Sequence, residues 1–457
     1  MAIRDTETLY GPAEGPGARE AWEAVAAAVG ALTALEVLMV AGRNPEPPGA
    51  RPLRLAPLAR LRVLEALPAV AEGALRGVCA EGAALAALTE LRLGRCGKTR
   101  LIVEDQVTDA DLLAPEPLGA AAVAAIAGAA PALAELSAEF GILLPHGSPA
   151  ALPETLTDMR LGPSDVVLAR LTPQLMFLTV LNALDWGVRL QAALDSHPEL
   201  EGVTFDRGFA LDDHEEDEED EEQEDELNGG DGLGFLAQLP QLREVTISRF
   251  EHDLLAGPRA GEWVSRRLCT WALAWAGGAV EELDLYLGHA GEPLAVMALL
   301  GAAMGARLRR LSLELDNAAH SGYGWGCDAP GDAGRGLLSL PLFTRLEELV
   351  LILLPLGPLP AAAPTLARRD IRGKGRKRGG QRGSRSRGWE APIAAFLAPL
   401  SSLRPASLVE VAIVMQAPMP RDGGPNGEAE LEAGCASLVA PHREYLELEL
   451  EQFGSGW

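Results

Sequence analysis

The stretch LAALTELRLGRCG, residues 85–97, contains the spacing that decides the fold. Its apolar residues are separated by three, three, two and three positions: Leu85, Leu88, Leu91, Leu93 and Cys96. A single amphipathic helix does not change to a spacing of two, and a single strand does not begin with spacings of three. The change of spacing therefore predicts a turn that leads into a short strand, whose alternate side chains point to the same face.

The same spacing of apolar residues recurs along the chain in thirteen copies. The copies are LEVLMV (35–40), LRVLEA (61–66), LTELRL (88–93), LAELSA (133–138), LTDMRL (156–161), LMFLTV (175–180), LEGVTF (200–205), LREVTI (242–247), VEELDL (280–285), LRRLSL (308–313), LEELVL (346–351), LVEVAI (408–413) and the poorer REYLEL (443–448). The closest starts are 26 to 28 residues apart, and the wider gaps require insertions. Serial copies of this kind predict stacked units, because no single unit buries its apolar face alone.

Alanine-rich segments between the copies predict helices, for example in residues 18–32 and 67–88. In residues 262–278, four apolar residues recur at spacings of four, three and four, and Gly277 can end that helix: Val264, Leu268, Trp271 and Trp275. These spacings are typical of one helix face. We therefore expect one strand and one helix in each repeat.

Three copies continue the pattern with a Cys or Asn. Cys96 lies at the expected place, Asn182 lies one place early, and Asn317 lies one place late. The pattern resembles the leucine-rich repeat family, Leu-x-x-Leu-x-Leu-x-x-Asn/Cys, over roughly residues 20–450. The resemblance implies an α/β fold, a single leucine-rich-repeat solenoid or horseshoe over residues 1–457. Parallel strands would line its concave face and helices its convex face. The alternative is an ordinary helical protein, because Leu-x-x-Leu is common in helices.

The composition limits the kind of protein and its partners. Hydrophobic residues make up 48% of the 457 residues and aromatic residues 5%, which predicts a core of Leu, Ala and Val. The net charge of −26 disfavours nucleic acid as a general partner and suits a basic one. Five cysteines without a CxxC motif, and an N-terminus unlike a secretory signal, predict an intracellular protein, cytoplasmic or nuclear. We expect no membrane segment, since 118–134 is short and 349–367 contains four prolines.

Two charged blocks fall in wide gaps between repeats. Residues 212–226 contain 13 acidic residues of 15, and residues 368–388 contain 10 basic residues. Neither can bury apolar surface, so we expect disordered insertions at 207–233 and 368–388. The acidic block could bind basic proteins. The basic block could serve nuclear import or contact nucleic acid, and we expect no contact with nucleic acid elsewhere in the chain. The two blocks could also bind each other.

No motif indicates catalysis, a cofactor or a metal. GRCGKT (94–99) lacks the first glycine of a phosphate loop, the histidines are scattered, and Ser164 is not in a nucleophile elbow. Tyr323 and Trp325 in GYGWG could contact a partner. We therefore expect a protein that is not an enzyme and has no small-molecule substrate.

In each predicted strand, the residues on either side of the second apolar residue should face solvent. The first of these positions holds seven acidic residues and one basic residue in thirteen copies, and the second is mixed and mostly small. The predicted binding residues are Glu90, Arg92, Glu135, Asp158, Arg160, Glu244, Glu282, Asp284, Glu348 and Glu410. A row of carboxylates at strand spacing attracts cations.

These residues favour a scaffold or adaptor that binds a protein partner through a basic segment of that partner. One alternative is a nuclear acidic leucine-rich-repeat protein that binds histones, although that family carries its acidic stretch at the C-terminus. Another is a substrate adaptor of a ubiquitin ligase, for which residues 1–30 show no recognisable F-box.

Overall fold

The computed structural model describes the repeats but not the charged blocks. The described residues are 2–4, 18–41, 51–94, 117–145, 147–181, 188–206, 233–248, 268–286, 293–315, 336–353, 400–417, 436 and 439–452. The predictions for residues 212–226 and 368–388, and for Tyr323 and Trp325, lie outside this set.

The chain divides into two compact units. The first contains Met1–Phe209 and Leu239–Leu242, and the second contains Ala210–Gln238 and Arg243–Trp457. The prediction of one continuous solenoid over residues 1–457 stays a prediction.

All described strands of the first unit are parallel, and each pairs with the next described strand in the chain. They are β1 (Ala2–Arg4), β2 (Val37–Ala41), β3 (Val63–Ala66), β4 (Glu90–Leu93), β5 (Glu135–Ala138), β6 (Asp158–Leu161), β7 (Phe177–Leu181) and β8 (Gly202–Asp206). Parallel neighbours require a crossover connection, and five of the described helices belong to this unit. They are α1 (Ala18–Gly30), α2 (Pro68–Ala80), α3 (Ala120–Ala129), α4 (Leu168–Leu171) and α5 (Val188–Asp195).

The second unit repeats this arrangement. Its strands pair in parallel and in chain order. They are β9 (Glu244–Ile247), β10 (Glu282–Tyr286), β11 (Arg310–Leu315), β12 (Glu348–Leu353), β13 (Glu410–Ala417) and β14 (Leu446–Gln452). The helical elements are α6 (268–275), α7 (Pro293–Met304), α8 (Leu400–Leu403) and the 3-10 turns Gly234–Gln238, Gly336–Leu342 and Ala440–His442. The prediction of an α/β fold with parallel strands is confirmed.

The turn and strand predicted from residues 85–97 are both present. The Leu88 amide donates to the Leu85 carbonyl at 3.0 Å, which closes the turn. The amides of Thr89 and Glu90 then both donate to the Arg62 carbonyl of the preceding repeat at 3.0 Å. Spacings of three therefore belong to the turn, and the spacing of two belongs to the strand.

Buried residues are stacked in register across the strands. In the first unit this position holds Leu38, Leu64, Leu91, Leu136, Met159, Leu178 and Val203. In the second it holds Val245, Leu283, Leu311, Leu349, Val411 and Leu446. All are buried, and burial of one such side chain contributes about 1.5–3 kcal/mol. These stacks form the core that the repeated spacing predicts.

The expectation of one helix in every repeat is wrong. The connection between β5 and β6, described except for residue 146, contains no helix. The helix predicted within 67–88 ends at Ala80, because Gly82 adopts a left-handed φ of 66°. The Ala83 amide then donates to the Val78 carbonyl at 3.1 Å, which completes a glycine-dependent helix end.

A short second ladder, absent from the sequence predictions, links the segments that lie after β4, β5 and β6. Leu118 pairs with Ile142, and Leu143 pairs with Asp165, in parallel bridges. The buried Ser164 hydroxyl supports this region: it accepts from the Ile142 amide and donates to the Gly162 carbonyl, both at 2.8 Å. Ser164 therefore stabilises the backbone of this ladder.

The core of the second unit contains a tryptophan pair on α6. Trp271 and Trp275 are buried, and their ring centroids are 6.1 Å apart in a stacked arrangement. The Trp275 indole N–H donates to the Leu233 carbonyl at 2.9 Å. The helical spacing predicted for Leu268, Trp271 and Trp275 is confirmed, whereas Val264 lies outside the described residues. Leu233, the last residue of the predicted acidic insertion, is also buried.

Candidate protein-binding surface

The predicted exposed positions form a row across the strands of each unit. The first-unit row consists of Val37, Val63, Glu90, Glu135, Asp158, Phe177 and Gly202, paired in register. The second-unit row consists of Glu244, Glu282, Arg310, Glu348 and Glu410, also paired in register. Neighbouring strands are about 4.8 Å apart, so the structure places Glu90, Glu135 and Asp158 side by side, and likewise Glu244 beside Glu282 and Glu348 beside Glu410.

The rows lie on the solvent side of the strands. Glu135 and Glu410 are exposed, and the other row carboxylates are partly exposed, whereas the stacked residues next to them are buried. This alternation follows from the two-residue period of a strand. The row side chains are therefore accessible, as predicted from the sequence.

Two arginines balance part of the charge in the first unit. Arg92 forms an ion pair with Glu90, and its guanidinium lies 3.8 Å from the Glu65 carboxylate. Arg160 forms an ion pair with Asp206. Asp158 accepts a hydrogen bond from the Thr157 hydroxyl at 2.6 Å. Glu135, in the middle of the acidic residues, forms no ion pair within the described part of the chain.

The predicted Arg92 and Arg160 occupy the neighbouring exposed position, with Ser137 between them in register. In the first unit this position otherwise holds Met39, Thr179 and Thr204, and also Glu65, which is buried although the sequence predicts that it faces solvent. Arg92 and Arg160 are each held by a carboxylate. The side chain beside Glu135 at this position is the short Ser137. The predicted Asp284 occupies the equivalent position in the second unit, beside the buried Ser312.

Arg310 interrupts the acidic row of the second unit. Its guanidinium lies 3.2 Å from the Glu348 carboxylate on one neighbouring strand and 4.0 Å from the Glu282 carboxylate on the other. Arg310 therefore engages two of the predicted binding carboxylates. Among the described residues, Glu244, Asp284 and Glu410 form no ion pair.

A second arginine repeats this pairing one position earlier in the chain. Arg309 forms two hydrogen bonds of 3.0 Å to the Glu347 carboxylate and lies 3.9 Å from the Glu281 carboxylate. This cluster is not among the residues predicted from the sequence, although the sequence contains a signal for it. The Arg-Arg of LRRL (308–311) is flanked by the Glu-Glu of VEEL (280–283) and of LEEL (346–349) in the adjacent repeats. Aligning the repeats would have paired these charges.

The pKa values of two glutamates in this unit shift in opposite directions. Burial, together with the nearby Glu282 charge, raises the pKa of Glu244 above its ordinary 4.5, and Arg310 opposes this. The hydrogen bonds from Arg309 lower the pKa of Glu347. Glu244 therefore holds its proton more tightly in the folded state, whereas Glu347 releases its proton more readily.

These shifts predict opposite effects of pH on stability. Above pH 4.5, wild-type stability should fall as Glu244 loses its proton, so Glu244→Gln should become more stable relative to wild type. Glu347 contributes stability that is present above pH 4.5 and lost as the pH falls through its lowered pKa. Above pH 4.5, Glu347→Gln should therefore be less stable than wild type. Urea unfolding of both variants between acidic and neutral pH measures this, and changes of the same sign would contradict the prediction.

Other kinds of site receive no support from the described side chains. Within the described ranges, no cluster of three or more His, Cys, Asp or Glu side chains could hold a metal ion. No helix in the same part of the chain has the length and apolar character needed to cross a bilayer.

No protein-family model matches the chain, and no curated protein is significantly similar to it in sequence.

Proposed function

We propose that this protein is a leucine-rich-repeat protein that binds a basic segment of another protein on the exposed face of its strands. In this proposal, the strands line the concave side of the repeat array, and the protein acts as an intracellular scaffold or adaptor without catalysing a reaction. The in-register stack of leucines and the turn repeated before most of the described strands support the family assignment.

The alignment of Glu90, Glu135 and Asp158 on three adjacent strands is the observation that carries the binding proposal. Three carboxylates on adjacent strands about 4.8 Å apart repel each other. A cationic partner would relieve this repulsion. Arg92 offsets only one of the three, and Asp158 has a hydroxyl donor but no ion pair in the described residues. A bound Lys or Arg would therefore complete the charge balance at Glu135 and Asp158.

In the second unit, Arg310 limits how many carboxylates a partner can use. Because it already contacts Glu282 and Glu348, the predicted binding carboxylates that remain for a partner are Glu244, Asp284 and Glu410. The first-unit row has an unbroken run of carboxylates, so we expect the tighter binding there.

Neutralising the first-unit carboxylates tests this function. The triple variant Glu90→Gln, Glu135→Gln and Asp158→Asn should weaken binding of a fluorescein-labelled lysine octapeptide by about tenfold, because each exposed charge pair contributes about 0.2–1 kcal/mol. Fluorescence anisotropy at low and at physiological salt measures the affinity.

The matched control changes three exposed acidic residues of the same unit outside the row: Glu154→Gln, Asp165→Asn and Glu199→Gln. Both variants change the net charge by the same amount. Equal weakening by the two variants would show that total charge, and not the row, controls binding. Circular dichroism of both variants confirms that they are folded.

A further inference from the structure

We infer that the basic segment bound by the first-unit row is an amphipathic helix that lies across the strands. This inference rests on the proposed function and specifies the conformation and side-chain pattern of the partner. It is carried by the spacing of the row and by the apolar residues at both ends of its acidic part.

The spacing of the row matches a helix. Side chains on adjacent strands are about 4.8 Å apart, so Glu90, Glu135 and Asp158 extend over about 9.6 Å. A helix rises about 1.5 Å per residue, so basic residues at positions i, i+3 and i+7 of one helix face are displaced by about 4.5 Å and about 10.5 Å. In an extended segment, side chains on the same face repeat about every 6.6–6.8 Å, so the third one no longer lies opposite the third carboxylate.

Apolar side chains continue the row on both sides of the carboxylates. Val63 precedes Glu90 in register, and Phe177 follows Asp158. Phe177 is 37% exposed, and Val37 at the far end of the row is 39% exposed. A purely basic partner would leave these side chains in water. An amphipathic helix with apolar residues one turn before and one turn after its basic residues would cover Val63 and Phe177.

The surroundings of the row leave room for such a helix. Beside Glu135, the neighbouring exposed position holds Ser137, and beside Phe177 it holds Thr179. Gly202 follows Phe177 in the row and has no side chain. The long side chains nearby, Arg92 and Arg160, are each held by a carboxylate.

Two synthetic peptides of identical composition test the inference on the full chain. One peptide places lysines at i, i+3 and i+7 with leucines one turn before and after them, and the other contains the same residues in scrambled order. We expect the patterned peptide to bind about tenfold more tightly than the scrambled one, because its leucines cover apolar surface. We also expect its helix signal in circular dichroism to rise on binding.

Single substitutions locate the apolar contact. Phe177→Ser should weaken binding of the patterned peptide about fivefold, through the loss of buried apolar area. The matched control is Val167→Ser, which changes another exposed apolar residue of the same unit outside the row.

The outcomes separate this inference from the proposed function. Equal affinities for the two peptides, with both weakened by the triple variant of Glu90, Glu135 and Asp158, would overturn the helix and leave the proposed function standing. No binding of either peptide or of the lysine octapeptide would overturn the proposed function itself. An effect of Val167→Ser as large as that of Phe177→Ser would also overturn the inference, since the row would not be the contact.

Discussion

Replacing Trp275 with alanine is expected to lower the free energy of unfolding of the second unit by about 3–5 kcal/mol. The indole is 1% exposed and stacks on Trp271, so its removal leaves a cavity between α6 and its neighbours. The substitution also removes the hydrogen bond to the buried Leu233. Both losses lower the free energy of unfolding. The cavity removes packing contacts, and the Leu233 carbonyl loses its hydrogen-bond donor.

Two variants separate these contributions. Trp275→Phe keeps an aromatic ring but removes the N–H donor, and we expect it to cost about 1–2 kcal/mol. Leu273→Ala changes a 62% exposed residue of the same helix and should change stability by less than about 0.5 kcal/mol. Urea unfolding followed by circular dichroism measures all three variants. A cost below about 1 kcal/mol for Trp275→Ala would show that this helix does not pack as described.

Replacing Gly141 with alanine is expected to destabilise the first unit strongly. Gly141 has a φ of 78°, and a Cβ atom there would lie 2.0 Å from the Pro163 carbonyl oxygen. The left-handed backbone costs a non-glycine residue about 1–2 kcal/mol, and overpacking costs about 1–3 kcal/mol. We therefore expect a loss of about 2–5 kcal/mol, because the obstructing atom belongs to the backbone of the adjacent ladder and cannot rotate away.

Gly82 and Gly162 provide matched controls for the backbone penalty and for the steric clash, respectively. Gly82 has a φ of 66°, and a Cβ atom there would have no neighbour within 4 Å, so Gly82→Ala should cost only the backbone penalty. A Cβ at Gly162 would lie 2.1 Å from the Glu139 carbonyl oxygen, so Gly162→Ala reports the close approach. Thermal unfolding gives the comparison. If Gly141→Ala is no worse than Gly82→Ala, the segments after β5 and β6 can separate at little cost.

The strands could be predicted from sequence because each carries its own local signal. The thirteen copies correspond to β2–β14, and residues such as Leu88 and Leu91 are buried where the spacing predicts. β1 was missed because three residues, Ala2–Arg4, contain too little pattern to recognise. The Leu118 and Ile142 bridge was missed for another reason: its partners lie in irregular segments, where pairing depends on which backbones the stacked strands bring together.

The exposed rows could also be predicted, but their charge balance could not be read from single repeats. Glu135 and Glu410 are exposed as expected from strand alternation. In contrast, Glu282 and Glu348 contact Arg310, and Asp206 contacts Arg160 from two strands away. These pairings depend on register and side-chain reach, which act between residues far apart in the chain.

By itself, the sequence determined the order of the short strands and which side of each strand is buried. Both depend on the two-residue period of a strand and on burial of leucine, and these act within a few neighbouring residues. Only the tertiary structure decided where helices are absent, where glycine backbones meet, and which carboxylates are already paired with arginines. Those features arise from contacts between repeats, where the distance between side chains is set by stacking and not by position along the chain.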